Sequence, residues 1–120
     1  MERPETLHIE KPWGCFDQYA LNTTCTVKIL TCKPGERLSL QKHAHRDELW
    51  VALDDGVVVD LDGKTLYPLK GQEMWLPKGS VHRLRCEAST KQPVRVLEIS
   101  LGNFDENDIE RLEDDYGRVI

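Results

Sequence analysis

The chain has 120 residues, of which 39% are hydrophobic and 31% are charged; this composition excludes a disordered or fibrous chain and fits one globular domain over residues 1–120. The formal net charge is −5 and no block of Lys or Arg occurs, which argues against a nucleic-acid or membrane partner. The first residues lack the apolar stretch of a signal peptide, and no run approaches the roughly 20 apolar residues of a membrane-spanning helix, so we expect a cytoplasmic protein.

Short runs rich in strand-forming residues alternate with turn signals along most of the chain. This pattern predicts an all-β fold, either a sandwich or a barrel. The pair Asp62-Gly63 is a strong hairpin signal, because glycine supplies the positive φ that a tight turn needs. The predicted strands are residues 14–21, 24–32, 38–45, 48–53, 57–61, 64–69, 73–76, 81–87 and 94–101.

Two residue types that often serve in active sites are interpreted here as structural. The cysteines lack CxxC spacing, and we predict reduced, mostly buried thiols at Cys15, Cys25, Cys32 and Cys86. Tryptophans in the strands of a small barrel are usually part of the core. We therefore assign no functional role to Trp13, Trp50 and Trp75.

The segment from Gly35 to Glu48 concentrates candidate metal ligands. In a strand, Gln41, His43 and His45 share one face. Glu48 follows a bend, so its carboxylate can return towards the same point. Imidazole and carboxylate groups are common ligands of divalent metals, and we therefore predict that this segment contributes to a metal site.

A further ligand has to come from outside this segment. His82 is the best candidate, because it enters a strand directly after the rigid turn Pro77-Lys78-Gly79. Glu73 and His8 are weaker candidates. Together with the preceding segment, His82 predicts a site for one divalent metal ion.

Only the last residues change to a helical period, since Ile109, Leu112 and Tyr116 are spaced to share one helical face. Asp105 is a residue type that caps helices, and Gly117 suits the helix end. We predict a barrel over about residues 9–102, followed by a short helix over about residues 105–116.

Two spaced patterns resemble the sequence motifs of the cupin superfamily. They are Gly35-x5-Gln41-x-His43-x4-Glu48 and Gly71-x5-Pro77-x-Gly79-x2-His82-x3-Cys86. The resemblance implies a double-stranded β-helix, or jelly-roll, barrel.

More narrowly, the chain resembles the type II mannose-6-phosphate isomerases from about residue 9 to residue 118. The resemblance is carried by Pro12-Trp13-Gly14 and by residues 38–50, 77–83 and 108–118. It implies a metal-dependent isomerase that interconverts two sugar phosphates, mannose 6-phosphate and fructose 6-phosphate. In this family the domain often follows a mannose-1-phosphate guanylyltransferase domain, which implies a separate guanylyltransferase as a partner. Cupins commonly pair as homodimers, and the resemblance implies the same here.

Three residues depart from these patterns: Cys86 stands where the cupin motif has Asn, Leu49 where the family commonly has His, and Ser100 where Gln is frequent. A less polar pocket would follow, with an altered substrate or lost catalysis. One alternative function is therefore a non-catalytic cupin that binds a sugar phosphate or a guanylyltransferase. An iron-dependent cupin oxygenase is the other.

The resemblance leaves two sets of metal ligands. Gln41, His43, Glu48 and His82 resemble the zinc site of the classical phosphomannose isomerases. The second set has His45 in place of Gln41 and suits iron or manganese oxygen chemistry. We favour the first set with zinc, and manganese, cobalt, iron and nickel are the alternative metals.

The implied isomerisation needs a group that moves a proton between neighbouring carbons. His45 qualifies because histidine titrates near neutral pH. Glu98 qualifies because it lies in an apolar strand, where desolvation raises the pKa of a carboxyl. The alternative for Glu98 is an outward-facing charge on the exterior of the barrel. Both are predicted as catalytic candidates.

The implied phosphate group needs cations. Arg46 lies at the bend beside the ligands and is predicted to serve in both catalysis and substrate binding. Arg111 and Arg118, on the carboxy-terminal tail, are further candidates for substrate binding, since arginine suits a bidentate phosphate contact. Strand alternation predicts an outer-surface position for Lys42, Arg83 and Arg85.

Overall fold

The computed structural model describes residues 2–118, which form eleven strands in three antiparallel sheets. No α-helix occurs among these residues, so none of them belongs to a helix with the length and hydropathy to cross a bilayer. The strands are β1 (Leu7–Lys11), β2 (Gly14–Gln18), β3 (Cys25–Cys32), β4 (Leu40–Lys42), β5 (Asp47–Ala52), β6 (Val57–Leu61), β7 (Lys64–Leu66), β8 (Glu73–Leu76), β9 (His82–Cys86), β10 (Val94–Leu101) and β11 (Glu110–Glu113).

Two of the sheets stack to form the barrel, which confirms the predicted all-β architecture. The first has the strand order β3-β10-β5-β8 and the second the order β11-β4-β9-β6-β7. The main core lies between them, since it combines Trp50 and Val96 from the first sheet with Val59 and Leu84 from the second. Burial of these apolar side chains is the main favourable term in the stability of the barrel.

Strand β10 shows how alternation sets the inner face. Val94, Val96, Glu98 and Ser100 are all buried, and β10 pairs with β3 on one side and with β5 on the other. Residues opposite one another in antiparallel strands point to the same side. Glu98 therefore points into the barrel and is not on its outer surface.

A second cluster covers the outer face of the first sheet. Leu49, Ile99 and Leu101 are buried there against Tyr19, Cys25, Trp75 and Leu97. Leu49 thus points away from Glu48 and from the barrel interior. Leu49, which stands where the family commonly has His, therefore packs outside the pocket.

The predicted helix over residues 105–116 is wrong. Asp105 does accept the backbone N–H of Asn107 at 2.9 Å, but the turn does not continue as a helix. Residues Glu110–Glu113 instead form β11 and pair with β4, which would otherwise leave its backbone groups unpaired at the sheet edge. Leu112 and Tyr116 stay 41% and 55% exposed, so the helical face had no core to cover, and a helix this short is marginal without one.

Three further predictions differ in detail. Strand β1 was not predicted, because most of its residues are exposed and its sequence shows no buried face. Arg83 was predicted on the outer surface but is buried, with its Nε donating to the carbonyl of Leu38 at 3.0 Å. Trp13 is 72% exposed, whereas a core position was expected.

All four cysteines are free thiols. Cys32 and Cys86 are buried, Cys25 is half-buried and Cys15 is exposed. Burial raises the pKa of the Cys32 thiol to about 11, which leaves roughly one molecule in 10³ as the reactive thiolate at about pH 8.

We expect alkylation of the folded protein at about pH 8 to modify Cys15 first, because only exposed thiolates react readily. Cys32 should react only after denaturation or at strongly alkaline pH, as its thiolate fraction rises with pH. Peptide mapping by mass spectrometry measures both rates. Equal labelling of Cys15 and Cys32 in the folded protein would contradict the buried position of Cys32.

Candidate metal centre and active site

Three buried side chains converge inside the barrel. His43 follows β4, Glu48 lies on β5 and His82 begins β9. The Nε2 atoms of His43 and His82 lie 3.6 Å and 3.5 Å from Oε1 of Glu48. Their candidate ligand atoms all lie within 4.8 Å of one another. Three chain segments thus place two imidazoles around one carboxylate oxygen.

Hydrogen bonds on the far sides of both rings orient them for this role. His43 Nδ1 donates to the carbonyl of Asp108 at 2.7 Å, and His82 Nδ1 donates to the carbonyl of Ser80 at 3.2 Å. Each Nε2 therefore carries a lone pair towards Glu48. Metal-binding histidines are commonly held by such a bond from the other ring nitrogen. The edge of the Trp50 ring packs against His82 at a centroid distance of 5.5 Å.

Two atoms of this group have unmet hydrogen-bonding capacity. Glu48 Oε1 and His82 Nε2 are buried and have no hydrogen-bond partner among residues 2–118. Burial lowers the pKa of His82 to about 4, so at neutral pH the ring is uncharged. Its single proton is on Nδ1, and Nε2 has none to donate to Glu48 Oε1. Such orphaned acceptors are costly unless a further group satisfies them. A divalent cation fits, because two imidazole nitrogens and one carboxylate are a common zinc donor set.

Gln41 lies beside this group. It is directly opposite His82 in the pairing of β4 with β9, so both side chains point to the same side. Its amide oxygen is therefore available as a fourth donor. His45 lies elsewhere: β4 ends at Lys42, and His45 is exposed on the following bend. The structure brings together His43, Glu48 and His82 and leaves His45 outside that group.

Asp108 fixes the bend that carries these residues. Its carboxylate accepts the backbone N–H groups of Ala44 and His45 at 2.8 Å and 3.0 Å, and its carbonyl holds His43. Sequence reasoning missed this role, because Asp108 lies within the predicted helix over residues 105–116. An aspartate that accepts backbone N–H groups serves equally in a turn and at a helix cap.

The second oxygen of Glu48 is already bound. Oε2 accepts the Nε–H of Arg46 at 3.2 Å and the hydroxyl of Ser100 at 3.0 Å, so only Oε1 points freely towards the histidines. Arg46 also donates from Nη2 to His43 Nε2 at 3.3 Å, a contact that metal binding would exchange. Ser100 and Arg46 together orient Glu48 so that its Oε1 could serve as a metal ligand.

We expect Ser100→Ala to weaken metal affinity by about 10-fold, the lower end of the range for losing a hydrogen bond to a metal ligand. Titration against a chromophoric chelator measures the affinity. Ser89→Ala, at an exposed position, serves as the control and should bind like the wild type. An unchanged affinity in Ser100→Ala would show that Glu48 needs no support from this hydroxyl.

Glu98 lies next to the same group. Its side chain is buried, and its Oε1 lies 3.5 Å from Ser100 Oγ. Burial, reinforced by the nearby Glu48 carboxylate, raises the pKa of Glu98 to about 7. A carboxyl in this state can both accept and return a proton near neutral pH.

A cleft of about 510 Å³ opens beside these residues, a size typical of small-molecule sites. Gln41, His43 and Glu98 line it, and its cations are Lys28, Arg46 and Arg111. Arg118 does not line it and is bound to Asp114 instead. Sequence reasoning missed Lys28, although strand alternation in β3 puts it on the same face as the partly buried Leu30 and the buried Cys32.

The weaker candidates do not reach the cleft. Glu73 accepts hydrogen bonds from Arg3 and Thr6. His8 lies on the exposed β1–β2 hairpin within ligand distance of Glu10 and Cys15. Its two ring nitrogens lie 2.7 Å from carboxylate oxygens of Asp17 and Glu10. Both nitrogens of His8 therefore already have hydrogen-bond partners in the hairpin.

Comparison with known proteins gives a consistent family match. The family described as mannose-6-phosphate isomerase C-terminal matches residues 2–114. The alginate biosynthesis protein AlgA of Pseudomonas aeruginosa is 41% identical over 92% of this chain and 23% of its own length. Mannose-1-phosphate guanylyltransferase ManC of Salmonella typhimurium is 36% identical over 92% of this chain and 23% of its own length. The chain therefore spans about a quarter of the length of these relatives.

Solved structures share the fold at low identity. The capsular polysaccharide assembling protein CapF of Staphylococcus aureus superposes with a TM-score of 0.66 at 17% identity, over 92% of this chain and 33% of CapF. KdgF from Halomonas sp. gives a TM-score of 0.62 at 13% identity, over 74% of this chain and 78% of KdgF. These neighbours confirm the cupin barrel that the sequence motifs predicted.

Proposed function

Because the chain belongs to the mannose-6-phosphate isomerase C-terminal family, we propose that it is a metal-dependent isomerase that interconverts mannose 6-phosphate and fructose 6-phosphate. One observation carries the proposal. A buried group of His43, Glu48 and His82, with two orphaned acceptor atoms, lies beside the buried carboxyl of Glu98. Metal ligands and a group able to move a proton thus meet at one cleft.

The metal ligands in this proposal are Gln41, His43, Glu48 and His82, with zinc as the first choice. When bound, the ion would supply Lewis-acid stabilisation of the negative charge that develops on the sugar oxygens. Arg46 and Ser100 orient Glu48 through its other oxygen. Asp108 and Ser80 hold the two imidazoles in the required tautomer.

Glu98 is the proposed base. Isomerisation removes the proton from C2 of the aldose and delivers a proton to C1, while the carbonyl group moves from C1 to C2. One carboxyl that accepts and then returns the proton can serve both halves of this transfer. His45, the other candidate from the sequence, is exposed on the bend outside the metal-ligand group.

The second candidate function is a non-catalytic sugar-phosphate-binding cupin that associates with a guanylyltransferase. It is favoured by Cys86 and Ser100, which stand where the cupin motif has Asn and where Gln is frequent in the family. The oxygenase alternative depended on His45 as a ligand. It loses support because the group of His43, Glu48 and His82 forms without His45.

Proton NMR of mannose 6-phosphate in D₂O with the zinc-loaded chain separates the two candidates. The isomerase should convert the substrate to fructose 6-phosphate and introduce deuterium at C1, because the transferred proton exchanges with solvent on the carboxyl. A binding module should only broaden or shift the ligand resonances. The absence of product with zinc, manganese, cobalt or iron would contradict the isomerase.

A further inference from the structure

Arg46, the cation nearest the metal ligands, is already engaged by the protein. Its Nε donates to Glu48, its Nη2 donates to His43 and its Nη1 donates to the carbonyl of Asp105 at 3.1 Å. Its guanidinium also stacks on the Phe104 ring at 4.5 Å. Each of the three nitrogens has a partner in the protein, and the Nε contact orients Glu48, so Arg46 is engaged with the candidate metal ligands.

Lys28 is differently placed. It lies opposite Glu98 in the pairing of β3 with β10, on the inner face of the first sheet, and lines the cleft. Its ammonium lies 4.1 Å from the centre of the Phe104 ring. Within residues 2–118 it makes no hydrogen bond and no ion pair within 4.0 Å, and its charge acts on Glu98 only through space. A cation over an aromatic face keeps its hydrogen-bond donors available to a ligand.

Arg111 reaches the same cleft from the facing sheet. It lies opposite Gln41 in the pairing of β11 with β4 and therefore points to the side of the metal ligands. Its Nε is buried and has no hydrogen-bond partner among the described residues. A buried guanidinium nitrogen without an acceptor indicates a missing anionic group.

We propose that Lys28 and Arg111 form the anion-binding subsite of the cleft and hold the phosphate of the sugar-phosphate substrate, while Arg46 is a positioning residue for Glu48. The identity of the sugar rests on the proposed function. The subsite itself rests on two cations, one from each sheet: within residues 2–118, the Lys28 ammonium makes no hydrogen bond and Arg111 Nε has no hydrogen-bond partner. Because the chain has a net charge of −5, such local cations are needed to bind an anion.

Isothermal titration of the zinc-loaded protein with fructose 6-phosphate and with fructose tests the subsite without requiring turnover. Lys28→Met and Arg111→Gln should each weaken binding of the phosphorylated sugar by about 10-fold or more, with little effect on fructose. Lys28→Arg should recover most of the affinity. Lys42→Met is the matched control, since Lys42 is a surface lysine that lies near Glu110 outside the cleft.

The outcomes separate this inference from the isomerase proposal. Wild-type affinity for fructose 6-phosphate in both Lys28→Met and Arg111→Gln overturns the subsite, whether or not the protein turns over. Equal losses for fructose and fructose 6-phosphate also overturn it, because they indicate damage to the cleft. If the variants lose affinity only for the phosphorylated sugar and the wild-type protein shows no turnover, the subsite is supported and the isomerase function is contradicted.

Discussion

Replacement of His82 by alanine is expected to abolish metal binding and turnover together. The variant loses one of the two imidazoles that face Glu48 Oε1. The remaining proposed ligands are one imidazole, one carboxylate and the Gln41 amide, which hold zinc weakly. Turnover should fall by at least about 10³-fold, since losing about 4 kcal/mol of charge stabilisation corresponds to that factor. Metal analysis of the dialysed protein and a conversion assay measure the two effects.

The matched control for this variant is His8→Ala. His8 is exposed and bound to Asp17 and Glu10 on the amino-terminal hairpin, so its loss should leave metal content and turnover unchanged. Circular dichroism checks that His82→Ala keeps the barrel. A folded His82→Ala protein that retains stoichiometric metal would show that His82 is not a ligand.

Replacement of Glu98 by glutamine is expected to give the second large effect, of a different kind. The side chain keeps its size but cannot accept a proton, so kcat should fall by about 10²- to 10⁴-fold, the range for loss of a general base. Metal content should stay at the wild-type level, because Glu98 is not part of the ligand group. Steady-state kinetics and metal analysis of the same preparation measure both.

Glu110→Gln is the control for this prediction. Glu110 lies on β11 near Lys42, with its side chain half exposed, and is outside the cleft. It should retain wild-type kcat. If Glu98→Gln turned over at the wild-type rate, another group would be the base, and Glu98 would have only a packing or electrostatic role.

The all-β barrel and the positions of His82 and Glu98 could be predicted because their signals are local. The turn Pro77-Lys78-Gly79 places His82 at the start of a strand, and this holds in β9. Alternation of apolar residues in β10 put Glu98 on the same face as Val94 and Val96, and all three are buried. Such patterns need only the neighbouring residues to be interpreted.

The remaining features depend on contacts between distant segments. The tail forms a strand because the edge of β4 was open, which the tail sequence does not show. His45 is outside the site because β4 ends at Lys42 and Asp108 holds the bend. Lys28 lines the cleft because it lies opposite Glu98 in the register of β3 with β10, which only the sheet order reveals. Tertiary pairing thus overrode the local helical and strand patterns.

The most direct test of the account is a coupled assay of mannose 6-phosphate conversion by the purified chain, before chelation, after chelation and after restoring zinc. Turnover should disappear with the chelator and return with the metal, because Glu48 Oε1 and His82 Nε2 have no hydrogen-bond partner within residues 2–118 and a bound cation would satisfy both. Turnover that persists unchanged after complete metal removal would contradict the metal centre. No turnover in any state, with zinc bound stoichiometrically, would contradict the isomerase.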